Sequence, residues 1–174
     1  MALLQFNPVV GDLQGNARTI IDAARQAYAE GARLVVTPEM ALCGYPPEDL
    51  VLKAHFLRDV EVELARLARE LPKQTTVVVG APRHLEGRTF NTAVVFQGGI
   101  EIATYRKMLL PNYGVFDEKR VFAAGDQPVI IEVGGLRIGL HICEDSWFVE
   151  EAPCQLMTHA GVDAVLNISA SPYH

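Results

Sequence analysis

Residues 17–40, "ARTIIDAARQAYAEGARLVVTPEM", decide the fold class. Ile20, Ile21, Ala24, Ala27 and Tyr28 recur at helical spacing, Asn16 just ahead of them is a good N-cap, and Gly31 supplies a C-terminal stop. "RLVVTPEM" then reads as a buried strand cut off by Pro38. On the N-terminal side, "LLQFNPVV" reads as a short apolar strand ending near Pro8, with "GDLQGN" as a turn. On the other side, "LVLKAHFLRDVEVELARLAREL" is a second helix with Leu57, Val60, Leu64, Leu67 and Leu71 on one stripe. "TTVVVGAP" gives a third strand. Strand, helix, strand, helix, strand is an α/β opening with neighbouring parallel strands.

The pattern then changes. "NTAVVFQGGIEIATYRK" is two alternating runs joined across Gly98-Gly99, and "PVIIEVGGLRIGLHIC" repeats the arrangement across Gly134-Gly135. "EEAPCQLMTHAG" reads as a helix and "VDAVLNIS" as a last strand. A mixed sheet with helices against it is the coarse expectation, without repeats, low-complexity tracts or linker.

Composition narrows the function classes. The 174 residues suffice for one domain, and 49% hydrophobic with 21% charged residues is the mix of a soluble globular protein. No apolar run reaches bilayer length, and "MALLQFNPVVGD" lacks the basic segment and cleavage site of a signal peptide. A net charge of −6 with no dense basic patch argues against a nucleic-acid surface. Three cysteines without a C-x-x-C pair fit a reducing cytoplasm, and five scattered histidines give no zinc spacing.

Three polar residues fall just past predicted strand ends, where α/β sheets gather catalytic groups: Glu39 after "LVVTP", Lys107 after "IEIATYR" and Cys143 after "LRIGLHI". Taken singly, each has an ordinary reading as a loop carboxylate, a solvated lysine and a small buried thiol. Their surroundings say more. "TPEMALCGYPPEDL", "YRKMLLPNYGVFDEKRVF" and "HICEDSWF" resemble the three motif blocks of the nitrilase (carbon–nitrogen hydrolase) superfamily, in its order of Glu, Lys and Cys. Within it, "FNPVVGDLQGN", "CGYPPEDL", "LPNYGVFDEKRVF" and "NISASPYH" are similar to the glutaminase domains of glutamine-dependent NAD synthetases. The resemblance covers essentially the whole chain.

That resemblance implies an αββα sandwich, two mixed sheets face to face with helices outside, incomplete at its C-terminus. It implies one glutaminase domain over residues 1–174, with the ATP pyrophosphatase (synthetase) domain absent from this chain, in which no "SGG.DS"-type phosphate loop occurs. Cys143 would attack the side-chain amide of L-glutamine and form a thioester. Glu39 would act as general base and acid, and Lys107 would stabilise the oxyanion with the backbone N–H after Cys143. Ammonia would be released for NAD synthesis. No metal or organic cofactor is implied for this step, since ATP and Mg belong to the synthetase domain. Homo-oligomers formed by packing helical layers are implied as well.

Glu144 and Asp145 beside the nucleophile would disfavour a thiolate. Side chains alternate in an extended segment, so both acids are expected to turn away and hold the loop by hydrogen bonds. Glu118 matches a supporting carboxylate near the lysine, while its other reading is a surface acid paired with Lys119 or Arg120. Tyr45, Tyr113, Trp147 and Ser171 match residues lining the glutamine pocket, though Tyr45 and Trp147 also suit plain core packing. Cys43 and Cys154 read as structural, and His141 as buried beside its strand. A chain stopping at "SASPYH" is expected to be a fragment of a longer enzyme, prone to associate through an uncovered sheet edge. Two other functions stay open: a stand-alone amidase acting on another small amide, and an inert truncated module.

Overall fold

The computed structural model describes residues 1–171 and contains two mixed sheets. In the first, the order is β1 (Ala2–Leu3), β2 (Leu34–Val36), β3 (Thr76–Leu85), β4 (Arg88–Gln97) and β5 (Ile100–Arg106). The pairs β1·β2 and β2·β3 are parallel, while β3·β4 and β4·β5 are antiparallel. The second sheet has the order β6 (Ile130–Val133), β7 (Leu136–Ile142) and β8 (Ala164–Ile168), antiparallel and then parallel.

Period-two alternation sorts the side chains of the first sheet into two cores. Val35, Val77, Val79, Ala81, Val94 and Phe96 pack against the stripes of α1 (Leu13–Ala29) and α2 (Ala54–Glu70). Val36, Val78, Ala93, Val95 and Tyr105 face Ile138, Leu140, Ile142 and Ile168 of the second sheet. The other face of β7 carries Gly139, whose missing side chain makes room for Met157 of α3 (Ala152–Ala160). Helix, sheet, sheet, helix is the layering expected from the resemblance.

Several local expectations shift. The N-cap of α1 is Asp12, which accepts from Gly15 N at 2.9 Å, and Asn16 lies inside the helix. The Asn16 side chain instead bonds both backbone groups of Val9 and donates to Leu42 O at 3.1 Å, tying the entry of α1 to the loop beyond β2. The first strand shrinks to Ala2–Leu3. β3 continues through Pro82 to Leu85, turning into β4 at Glu86 and Gly87. Among the described residues no strand pairs with the β2 side of β3 beyond Val78, so a residue without an N–H is tolerated there. Both hairpins across Gly98-Gly99 and Gly134-Gly135 are present.

Gly80 of β3 lies under the loop that carries Glu39. A methyl group there would meet the Pro38 carbonyl oxygen and lie 2.5 Å from Met40 N and 2.9 Å from the Glu39 carbonyl carbon. These are backbone atoms and cannot swing away. Gly80→Ala is therefore expected to destabilise the fold by about 1–3 kcal/mol and displace Glu39. Urea unfolding checks the first effect, and an unchanged midpoint would mean that the loop shifts freely.

Candidate active site

Three strand ends deliver the expected residues. Thr37 fixes the exit of β2: its N–H donates to Val78 O at 3.0 Å and its Oγ1 accepts from Gly80 N at 3.1 Å, which leads the chain through Pro38 to Glu39. Lys107 follows β5 directly, its N–H donating to Asn91 O at 2.9 Å on β4. Cys143 follows β7 and opens a 3₁₀ turn, Cys143–Ser146, with φ +50°. A left-handed conformation is strained for a residue with a Cβ and is tolerated where surrounding bonds impose it. One of those bonds runs from Asn167 Nδ2 of β8 to Cys143 O, at 3.1 Å.

At the centre is a buried cation between two carboxylates. Lys107 is 0% exposed, Glu39 2% and Glu118 4%. The Lys107 Nζ donates to Glu39 Oε1 at 2.8 Å and to Glu118 Oε1 at 2.9 Å. Burial alone would favour a neutral amine, but the charges of Glu39 and Glu118 outweigh it and hold the Lys107 ammonium above its ordinary range. Burial pushes Glu118 above the usual carboxylate range; the Glu39 charge adds to that, against the pull of Lys107 and Tyr45. Tyr45 OH donates to Glu118 Oε1 at 3.0 Å, while Glu118 Oε2 is buried without a partner among the described residues. Glu118 is thus no surface acid; Arg120 pairs instead with Asp117, Asp49 and Glu48.

Glu39 is held from three sides. Asn91 Nδ2 donates to its Oε1 at 2.7 Å beside the lysine, and Ala170 N donates to its Oε2 at 3.0 Å. Next to Ala170, Ser171 Oγ lies 3.8 Å from Cys143 Sγ. Burial raises the thiol above its ordinary value and the Glu39 charge raises it further, opposed by Ser169, Lys107 and Ser171. The acids beside the thiol are engaged elsewhere. Asp145, 0% exposed, accepts from the N–H groups of Ile142, Met108 and Leu109 and from Tyr105 OH. It fastens the turn after β7 to the segment after Lys107. Glu144 Oε1 accepts from Tyr113 OH at 3.1 Å.

This constellation can move a proton between an acid and a thiol beside a fixed cation. A family model for carbon-nitrogen hydrolases matches residues 1–174. The chain belongs to the carbon-nitrogen hydrolase family. Among curated relatives, the glutamine-dependent NAD(+) synthetase of Thermotoga maritima is 40% identical over 174 residues, which is 100% of this chain and 30% of that protein. The chain thus spans about a third of the length of the relatives it matches. A glutamine-dependent NAD+ synthetase from Acinetobacter baumannii, solved with adenosine diphosphate, superposes with a TM-score of 0.88 at 34% identity, covering 98% of this chain and 32% of that one. An amidase of the nitrilase superfamily from Nesterenkonia AN1 superposes with a TM-score of 0.84 at 29% identity, covering 98% and 64%.

In this carbon-nitrogen hydrolase the remaining expected residues divide. Tyr45 is half-buried, packed on the helix-side core with its hydroxyl at Glu118. Tyr113 and Trp147 are 50% and 48% exposed, so Trp147 is not core packing. Ser171 is exposed as a residue, yet its hydroxyl reaches the thiol. Cys43 is buried, its thiol pushed up to about 12 by burial, and Cys154 Sγ bonds Asp145 O at 3.3 Å. His141 lies buried on β7 with Nδ1 2.8 Å from Ser146 Oγ, and burial lowers its pKa. Sequence reading missed Asn91 and Asn167. Each is an asparagine, a residue type that strands disfavour, inside a stretch of β-formers ("TFNTAVVF", "AVLNIS"), and that was the available signal. Among the described residues there is no group of three or more metal-ligating side chains, and no helix is long and apolar enough to cross a membrane.

Proposed function

We propose that this domain hydrolyses the side-chain amide of L-glutamine through a thioester on Cys143. The observation that carries the reading is the buried Lys107 bridging Glu39 and Glu118 beside that thiol. Glu39 takes the thiol proton as sulfur attacks the amide carbon, so a standing thiolate is unnecessary. Lys107 and the Glu144 N–H stabilise the negative charge that develops on the amide oxygen. Glu39 then hands its proton to the departing nitrogen, releasing ammonia. A water molecule, deprotonated by Glu39, hydrolyses the thioester and frees glutamate. Tyr45, Tyr113, Trp147 and Ser171 line the substrate pocket in this reading, and Glu118 supports the lysine.

The names of the relatives support delivery of the ammonia to NAD synthesis by a synthetase domain of the same longer polypeptide, with ATP and Mg used there and no cofactor used here. Three free cysteines support a cytoplasmic setting, and homo-oligomers formed by packing helical layers complete the proposal. The Nesterenkonia amidase, of which this chain covers 64%, favours a second reading, hydrolysis of another small amide. Ammonia release from glutamine and from a panel of short amides separates the two. A glutamine preference of about tenfold or more in kcat/KM is expected. Equal rates across the panel would favour the amidase, and no release from any amide would favour an inert module.

A further inference from the structure

Asn91 is 0% exposed on β4 and belongs to none of the groups assigned above. Its backbone carbonyl accepts from Lys107 N, and its side-chain Nδ2 donates to Glu39 Oε1 at 2.7 Å. One residue therefore fixes both the lysine and the acid. Its own Oδ1 is buried without a partner among the described residues. A purely structural asparagine is normally satisfied at both ends. Here the amide cannot turn to satisfy Oδ1, because that would set oxygen against the Glu39 carboxylate.

The count of lone pairs gives the consequence. A carboxylate offers about four acceptor positions, two on each oxygen. On Glu39 Oε1 both are taken, by Asn91 Nδ2 and Lys107 Nζ. On Oε2 one is taken by Ala170 N, whose neighbour Ser171 touches the thiol. We propose that Asn91 is a positioning residue that locks the Glu39 carboxylate so that a single lone pair of Oε2 stays open to the Cys143 proton. The proposal rests on the hydrolytic reading above and adds a residue to it.

Asn91 also biases where the proton sits. The groups that act on Glu39 are Lys107, Glu118, Cys143 and Tyr45, together with the two neutral donors Asn91 and Ala170 N. A neutral donor favours the ionised carboxylate. Without it, the shared proton moves from sulfur toward Glu39. Hydrolysis then slows while the thiol becomes more thiolate-like.

The test uses the full chain with Asn91→Ala, the near-isosteric Asn91→Asp, and Thr92→Val as control. Thr92 is equally buried on the same strand, its Oγ1 bonded to Ala81 O at 2.6 Å, away from Glu39. Two quantities are read on folded protein: the pH profile of glutamine hydrolysis, and the rate of Cys143 alkylation by iodoacetamide located by peptide mass. Asn91→Ala is expected to lower kcat about tenfold or more, move the acid limb upward and speed alkylation near neutral pH. Asn91→Asp should lower kcat and move the acid limb the same way, without a larger gain in alkylation because its own carboxylate opposes the thiolate. Thr92→Val should leave both readouts within about twofold. An unchanged limb and alkylation rate in both Asn91 variants would overturn the proposal. If the parent chain releases no ammonia from glutamine, the glutamine reading falls, and the alkylation arm alone decides on Asn91.

Discussion

Lys107→Met is expected to cut amide hydrolysis severely and to destabilise the fold by about 3–5 kcal/mol near neutral pH. Methionine keeps the length of the stem and removes the ammonium with the two hydrogen bonds it donates, so little cavity contributes. What remains is a pair of carboxylates, Glu39 and Glu118, that shared one ammonium at 2.8 and 2.9 Å in a place closed to water. The catalytic loss is expected at about 10²–10³ or more, the scale for deleting a donor aimed at developing negative charge. The stability loss carries a pH signature. In the variant the acid pair binds a proton more tightly folded than unfolded. Its contribution is therefore intact below the unfolded carboxylate range, around pH 4, and is lost as pH rises through the higher folded value. Burial already pushes Glu118 that way in the parent. Urea unfolding of both proteins at about pH 8 and about pH 5 should show the gap narrowing in acid. A gap that is absent at pH 8, or that widens in acid, would mean that the lysine does not neutralise this pair.

The fold and the site were legible to different depths, for physical reasons. Strand ends followed from apolar runs broken by proline or a charged residue, and these put Glu39, Lys107 and Cys143 just past β2, β5 and β7. β2 and β5 run in the same direction as β3 and so end on one side of the first sheet, while Cys143 comes from the facing sheet. The glycine pairs at Gly98 and Gly134 marked two hairpins, while the third, at Glu86-Gly87, was hidden because Pro82 reads as a strand end. Local capping logic chose Asn16, a residue the fold uses for a long-range bond to Leu42, and passed over Asp12, four residues upstream. The two readings of Glu118 could not be separated by sequence, since only tertiary contact decides whether an acid beside Lys119 and Arg120 turns inward. Asn91 stayed invisible for the same reason: alternation identifies a strand face, not the carboxylate waiting on it. Nor does the pattern show that Trp147 stands half in solvent.

Glu39→Gln is expected to move two rates in opposite directions. Glutamine hydrolysis should fall by about 10²–10⁴, the range for removing a general base. Alkylation of Cys143 by iodoacetamide near neutral pH should instead speed up. The Glu39 charge is the second force, after burial, holding the thiol up, and Lys107 remains to favour the thiolate once that charge is gone. The substitution is isosteric without being innocuous. Glu39 accepts two donors on Oε1 and one on Oε2. A glutamine amide has one acceptor oxygen, so its NH₂ must face either Ala170 N or the Asn91 and Lys107 donors. That conflict should destabilise the fold by about 1–3 kcal/mol, visible as an earlier urea midpoint. Unfolding by itself would expose Cys43 and Cys154 to the reagent too, so confinement of the faster labelling to Cys143 marks the effect as local. Slower labelling of Cys143 in the folded variant would show that Glu39 assists the thiol as a standing base without opposing its ionisation. Hydrolysis at the parent rate would remove the acid from the reaction altogether.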